Sequence, residues 1–476
     1  MKKILLLSLF SVMLSAAHAQ RLHPENLTDR TLLPSVVGPH RVGTRTGAPL
    51  VNTGSPKVPV VLVQFPDLPF TVAETEAEVH QLYDEFFNAP EGAHPATSYC
   101  SVKEYFRRQS GGQFEPEFDI IGPITLPQSY TYYGEDQGSR KDVHIGEFFS
   151  DACQLAVQHD VNWADYDNDK DKNGVVDMVF FIYAGEGQNA TGDITSTIWP
   201  KESATSQPVT YQGKTITFGS YGCTNELYMG EIDGIGTCIH ELCHGLGLPD
   251  FYDPSYLAYG LDYWDVMDSG CYQMDGCCPC HMSAYELDFM GWRELVTLEI
   301  DAPCSLTLQP LSKGGVGYKL VNAANPNEYF ILENRQNASF DNYLGCPDRT
   351  YFQKYGAAHG LMITHVDYSA QAWASNSVNT NKSHQRITIV PADGETISYQ
   401  EQGGDPWAQS MLGDLYPGSH QVSEMSSYKV FTGGTLGQTI TNIVEHADGT
   451  ITLDINGGQP EDPDEGLVEP DEPEIA

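Results

Sequence analysis

The chain has 476 residues, with 25 Lys+Arg against 64 Asp+Glu, a formal net charge of −39 at pH 7. So strong a polyanion repels phosphate backbones and anionic lipid surfaces, which argues against a nucleic-acid partner. A content of 40% hydrophobic and 11% aromatic residues excludes wholesale disorder, and the length predicts two or three domains.

Residues 1–19 read as a secretory signal. Lys2 and Lys3 precede the apolar run Ile4 to Ala16, and Ala17-His18-Ala19 is a small-x-small cleavage site before Gln20. No later segment has about 18 consecutive apolar residues, so the mature chain is expected to be secreted or periplasmic, without stable membrane insertion. Residues 20–57 are polar and lack periodicity. They read as a pro-segment or as a plain N-terminal extension. A cysteine switch is excluded for them, because the first cysteine is Cys100. An inhibitory side chain would have to be Asp29, His23 or His40.

From residue 58 strands and helices alternate. Pro59 to Phe65 is a continuous apolar run, as in a buried central strand. Thr75 to Phe87 carries helical periodicity behind a Thr75/Glu78 capping box, and Ser101 with Glu104 predicts the same device before a second helix ending at Gly111-Gly112. A strand is expected around Phe114 to Ile121, a helix over Ile145 to Val157, and a second buried strand over Met178 to Ala184. Residues 58–295 thus form the α/β (α+β) catalytic part. From 296 to 456 the chain turns β-rich, with strands around Leu306–Leu308, Tyr329–Leu332, Leu361–Thr364 and Ile387–Val390. Residues 457–476 are rich in Pro and acid and are read as a disordered acidic tail.

His240-Glu241-Leu242-Cys243-His244 carries the chemistry. Residues four apart share one helical face, so His240 and His244 can offer two imidazoles to one Zn²⁺. Glu241, beside them, is placed to take a proton from the attacking water and pass it to the leaving amine. Gly247 lets the backbone leave the helix and Pro249 forbids its continuation, which brings Asp250 round as third ligand; Asp253 is a nearby competitor. By composition, the His-Glu-x-x-His pattern alone arises by chance in roughly 3% of such chains, and the Gly and Asp make coincidence far rarer. Met267, in Tyr263-Trp264-Asp265-Val266-Met267-Asp268, is the candidate for a Met-turn under the histidines, as in metzincins. Tyr256, Tyr259 and Tyr272 could stabilise the developing oxyanion.

Asp165, Asp167, Asp169, Asp171, Asn173 and Asp177 form a run of hard oxygen ligands. From Asp169 it follows the start of an EF-type loop, with Gly174 at the sharp turn but Phe180 where the bidentate Glu belongs. It reads as a structural Ca²⁺ site, or else as a solvated acidic loop. The chain has 11 cysteines. Export permits disulfides, and Cys277-Cys278-Pro279-Cys280 is expected to staple a loop by disulfides in preference to forming a metal knuckle. His365 and His384 are read as structural.

Several of these segments together resemble the immune inhibitor A family of secreted zinc metallopeptidases. The resemblance rests on the zinc motif through Asp250-Phe251-Tyr252-Asp253, and on Ile198-Trp199-Pro200, Gly291-Trp292, Leu332-Glu333-Asn334-Arg335, His359-Gly360-Leu361, His365-Val366-Asp367 and Ala392-Asp393-Gly394. It covers roughly Val58 to Gly394 and implies a metzincin-like fold and endopeptidase activity on proteins or peptides, with accessory Ca²⁺. The Cys271–Cys280 patch has no counterpart in that pattern. Two readings compete with a zinc endopeptidase: a non-catalytic, calcium-stabilised extracellular binding protein, and a zinc hydrolase of another amide or ester. A binding protein has no need of Glu241 between two metal ligands.

Overall fold

The computed structural model describes residues 50–90, 98–168, 172–190, 196–253, 258–298, 302–398, 404–425 and 428–458. The expected signal, the pro-segment up to residue 49 and the acidic tail from residue 459 lie outside them.

The first half is built on a seven-stranded mixed sheet. Strand β1 (Lys57–Gln64) lies at its heart, parallel to β2 (Glu117–Thr125) on one side and β4 (Val179–Glu186) on the other. Val58 and Val60–Val63 are fully buried, which accounts for the unbroken apolar run. Strand β6 (Lys214–Tyr228) follows β4 in parallel and pairs in its first half with the short β3 (Val175–Val176). Its other edge takes β5 (Lys201–Tyr211) and β7 (Glu231–Ile232), both antiparallel. The β5–β6 hairpin escaped the sequence reading, because its strands are largely polar. Its signal was Gln212-Gly213, where both residues adopt positive φ (49° and 79°), the requirement of a two-residue hairpin turn.

The helices α1 (Glu76–Asn88), α2 (Val102–Gln109) and α3 (Ile145–Ala156) stand where the periodicity put them. The Thr75/Glu78 capping box forms in full. At α2 only half forms. Ser101 accepts from the Glu104 N–H, but the Glu104 carboxylate is taken by Arg107, at 2.6 and 2.8 Å. A charge-assisted fork outcompetes the backbone amide.

The second half contributes a five-stranded sheet in the order β13 (Ile387–Ile389), β12 (Gly360–Asp367), β11 (Asn325–Arg335), β10 (Tyr318–Asn322) and β8 (Val296–Thr297). A three-stranded sheet of β14 (Ile440–Glu445), β15 (Ile451–Ile455) and β9 (Cys304–Leu308) completes it. This region shares the main core of the first half. Trp373 packs against Phe251 and Tyr285, and Trp407 against Tyr263. At the other end, the boundary drawn before residue 58 falls inside the packing. Leu50 is buried and donates its N–H to the Gly245 carbonyl at 3.1 Å, and the Trp292 indole donates to the Asn52 carbonyl at 2.7 Å.

The expected disulfide staple is absent: none of the eleven cysteines is joined in a disulfide. In the Cys277–Cys280 run the three sulfurs diverge. Cys277 Sγ lies near the Asp275 carbonyl, Cys278 Sγ near the Phe340 carbonyl, and Cys280 Sγ fills the space beside Gly270.

Candidate metal centre

Helix α4 (Ile235–Gly245) carries the motif and is buried along its whole length. Its close seat depends on Gly236, where an added Cβ would lie 1.8 Å from the Cys271 carbonyl oxygen. The helix ends in a Schellman arrangement: the Leu248 N–H bonds the Cys243 carbonyl at 3.0 Å and the Gly247 N–H bonds the His244 carbonyl at 2.9 Å. Gly247 supplies the positive φ, 102°, that this exit requires. The chain then turns back and delivers Asp250.

His240, His244 and Asp250 are brought together, the only such group of His, Cys, Asp or Glu among the described residues. Asp250 Oδ1 lies 3.1 Å from the Nε2 of each histidine. The other ring nitrogens are occupied: His240 Nδ1 donates to the Val266 carbonyl at 2.9 Å and His244 Nδ1 to the Leu248 carbonyl at 2.8 Å. Those bonds orient the two rings and turn both Nε2 atoms toward the Asp250 oxygen. Two ligand atoms on a tetrahedral zinc, with bonds of about 2.0–2.1 Å, stand about 3.3 Å apart. The three atoms therefore fit a metal of that size, and their N,N,O donor set suits zinc.

The charges are mutually adjusted. Burial opposes a charge on either imidazole, yet Asp250 outweighs it and raises both, with the Cys271 thiol adding to the effect on His240. Burial would raise the Asp250 carboxyl, but His244 and His240 hold it well below the usual carboxylate range. Burial pushes Glu241 up to about 7, against the pull of the two histidines.

Met267 is fully buried, and its carbonyl accepts from the Phe251 N–H at 2.8 Å, next to Asp250. Its own N–H is held by Asp265 Oδ1 at 2.8 Å. Asp253, the alternative ligand, is not in the group; its Oδ2 accepts from the Ala258 N–H at 3.0 Å. Of the three tyrosines, Tyr256 lies outside the described residues. The Tyr259 hydroxyl is turned to Asp414 at 3.0 Å, and the Tyr272 hydroxyl accepts from Asn189. His365 pairs with Glu328 at 3.0 Å and His384 with Asp367 at 2.6 Å. The sequence reading missed three neighbours of the centre: Cys271 against His240, the Val266 carbonyl, and Asn376, which contacts Asp250 from the second half of the chain.

In the acidic loop, Asp169 and Asp171 lie outside the described residues. Asp165 is exposed and accepts from Asn162 at 2.8 Å. Asn173 Oδ1 accepts from the Val175 N–H, and Asp177 Oδ2 from the Asn168 N–H at 2.6 Å. Asp167 is buried. Its Oδ2 accepts from the Gly174 N–H at 2.7 Å, while its Oδ1 has no hydrogen-bond partner. Among the described residues no three carboxylates of this loop meet in one group.

Residues 50–294, just over half of the chain, match the family described as immune inhibitor A peptidase M6, catalytic domain. The pre-pro-metalloprotease PrtV of Vibrio cholerae is 26% identical over 273 residues, covering 49% of this chain and 29% of that protein. Immune inhibitor A of Bacillus thuringiensis subsp. alesti is 26% identical over 295 residues, covering 52% of this chain and 42% of that protein. The chain thus spans less than half the length of these relatives. The match runs through the whole first half, metal centre included, and on it the chain belongs to the immune inhibitor A peptidase M6 family of metallopeptidases.

Proposed function

We propose that the chain is a secreted, zinc-dependent endopeptidase with a metzincin-like catalytic domain and Glu241 as general base. The observation that carries this reading is the convergence of His240 Nε2, His244 Nε2 and Asp250 Oδ1 next to a buried carboxylic acid on the same helix. Zinc, when bound, lowers the pKa of water and polarises the scissile carbonyl. Glu241 takes the proton of the attacking water and returns it to the leaving amine. Burial raises the proton affinity of its carboxyl against the pull of the two histidines. The Val266 and Leu248 carbonyls hold the two imidazoles in the tautomer the site needs, and Met267 forms the floor.

Zinc content and hydrolysis of casein, measured on the purified full chain with and without a zinc-selective chelator, test this reading. Stoichiometric zinc and chelator-sensitive cleavage are expected. Cleavage of small esters but of no protein would instead favour the broader hydrolase reading. Chains starting at Gln20 and at Leu50 belong in the same assay, because Leu50 and Asn52 are tied into the catalytic half. A pro-segment would therefore be cut before Leu50, and equal rates from both starts would show that residues 20–49 do not inhibit.

The acidic loop is proposed as a structural Ca²⁺ site, on the strength of the buried and unpartnered Asp167 Oδ1. Calcium is expected to raise the melting temperature. Binding to the native state alone adds about 2.7 kcal/mol at a hundredfold excess over Kd. An unchanged Tm in protein first stripped of calcium would reject the site.

A further inference from the structure

The outer oxygen of Asp250 and the Asp250 backbone are held by a single side chain, Asn376. Asn376 Nδ2 donates to Asp250 Oδ2 at 2.5 Å, and Asn376 Oδ1 accepts from the Asp250 N–H at 2.7 Å. The two residues are 126 positions apart, and Asn376 lies outside the stretch that matches the family. It sits in the turn after the helix Ala370–Ala374 with φ of +51°, a left-handed conformation that Asn tolerates better than most residues. The turn is anchored by Trp373, which is fully buried against Phe251 and Tyr285, and by the Ser377 N–H on the Ala372 carbonyl at 2.9 Å.

We propose that Asn376 is a positioning residue for the third metal ligand, supplied to the centre by the C-terminal half. The inference rests on the assignment of Asp250 as ligand. Oδ1 faces both histidines and Oδ2 faces the Asn376 amide, so the carboxylate offers one oxygen only. A carboxylate free to swing would present both, and the second oxygen would occupy the position that substrate and water need. The backbone bond fixes the turn at Asp250 at the same time. Outer partners of this kind alter metal affinity by about 10–100-fold.

Two variants of the full chain test the clasp. Asn376→Asp keeps the shape and the acceptor but removes the amide donor. Asn376→Gly removes both bonds while relieving the positive φ. Zinc affinity is read by competition with a chromophoric chelator, and ligand geometry by the visible absorption of the Co²⁺-substituted protein. Both variants are expected to bind zinc at least tenfold more weakly and to show weaker, shifted Co²⁺ bands as Asp250 gains a second contact. Affinity and spectrum equal to those of the unmodified chain would overturn the proposal. So would lower affinity with an unchanged spectrum, which would place Asn376 in the fold and not at the ligand. Asp250→Ala is measured alongside: if it retains zinc, the ligand assignment itself fails, whereas if it loses zinc and the Asn376 variants do not, only the clasp fails.

Discussion

Replacing Glu241 by Gln is expected to lower kcat on a peptide substrate by about 10²–10⁴-fold, the usual contribution of a positioned general base. Zinc content and melting temperature are expected to stay close to those of the unmodified chain. Gln fills the same buried space, and Glu241 is not one of the three residues that gather around the metal position. The carboxyl is buried and its proton affinity is raised to about 7, mainly by desolvation. An uncharged amide at that place therefore costs the fold little, whereas it can neither accept a proton nor give one back. The KM is expected to change much less than kcat, because the loss falls on proton transfer. Turnover within a few-fold of normal in a variant shown to hold zinc would sink the mechanism and leave Glu241 a packing residue.

The gathering of His240, His244 and Asp250 was legible because its information is local. His240, Glu241 and His244 lie on one helical turn, and Gly247 and Pro249 encode the exit that returns Asp250, so helix geometry alone predicts the cluster. The capping signal at Thr75 and the buried runs of β1 and β4 were legible for the same reason: each needs only neighbours in sequence. Residues that act across the fold were not. Nothing near Asn376 announces that its amide meets Asp250, because the contact exists only once Trp373 is seated on Phe251. An alternation of strands and turns marks a change of architecture at residue 296, but not that Trp373 and Trp407 complete the core of the half before it. The cysteines show the limit of composition. Export and clustering favour disulfides, yet pairing depends on where three sulfurs point, and in the Cys277–Cys280 run they diverge.

Asp250→Ala and Asp253→Ala separate two carboxylates that sequence spacing leaves close to each other. Both are buried acids in the same turn. Asp250 Oδ1 stands 3.1 Å from two imidazole nitrogens, and His244 and His240 hold its carboxyl ionised. On the proposed zinc site, removing it would leave two nitrogens as the only protein ligands, too few for a stable catalytic zinc, and the fall in affinity should exceed the roughly 100-fold seen for lost outer partners. The zinc-free fold, by contrast, gains relief from a buried negative charge at the cost of two histidines left without their acceptor. Asp253 has a different duty: its carboxylate accepts from the Ala258 N–H. Its loss strands a buried donor and is expected to cost about 1–3 kcal/mol of stability while leaving zinc in place. Elemental analysis after gel filtration, paired with thermal melts, reads both effects. The expected pattern is crossed, with metal lost in Asp250→Ala and stability lost in Asp253→Ala. Equal zinc content in the two variants would remove Asp250 from the ligand set, and with it the reason for Gly247 to break the helix where it does.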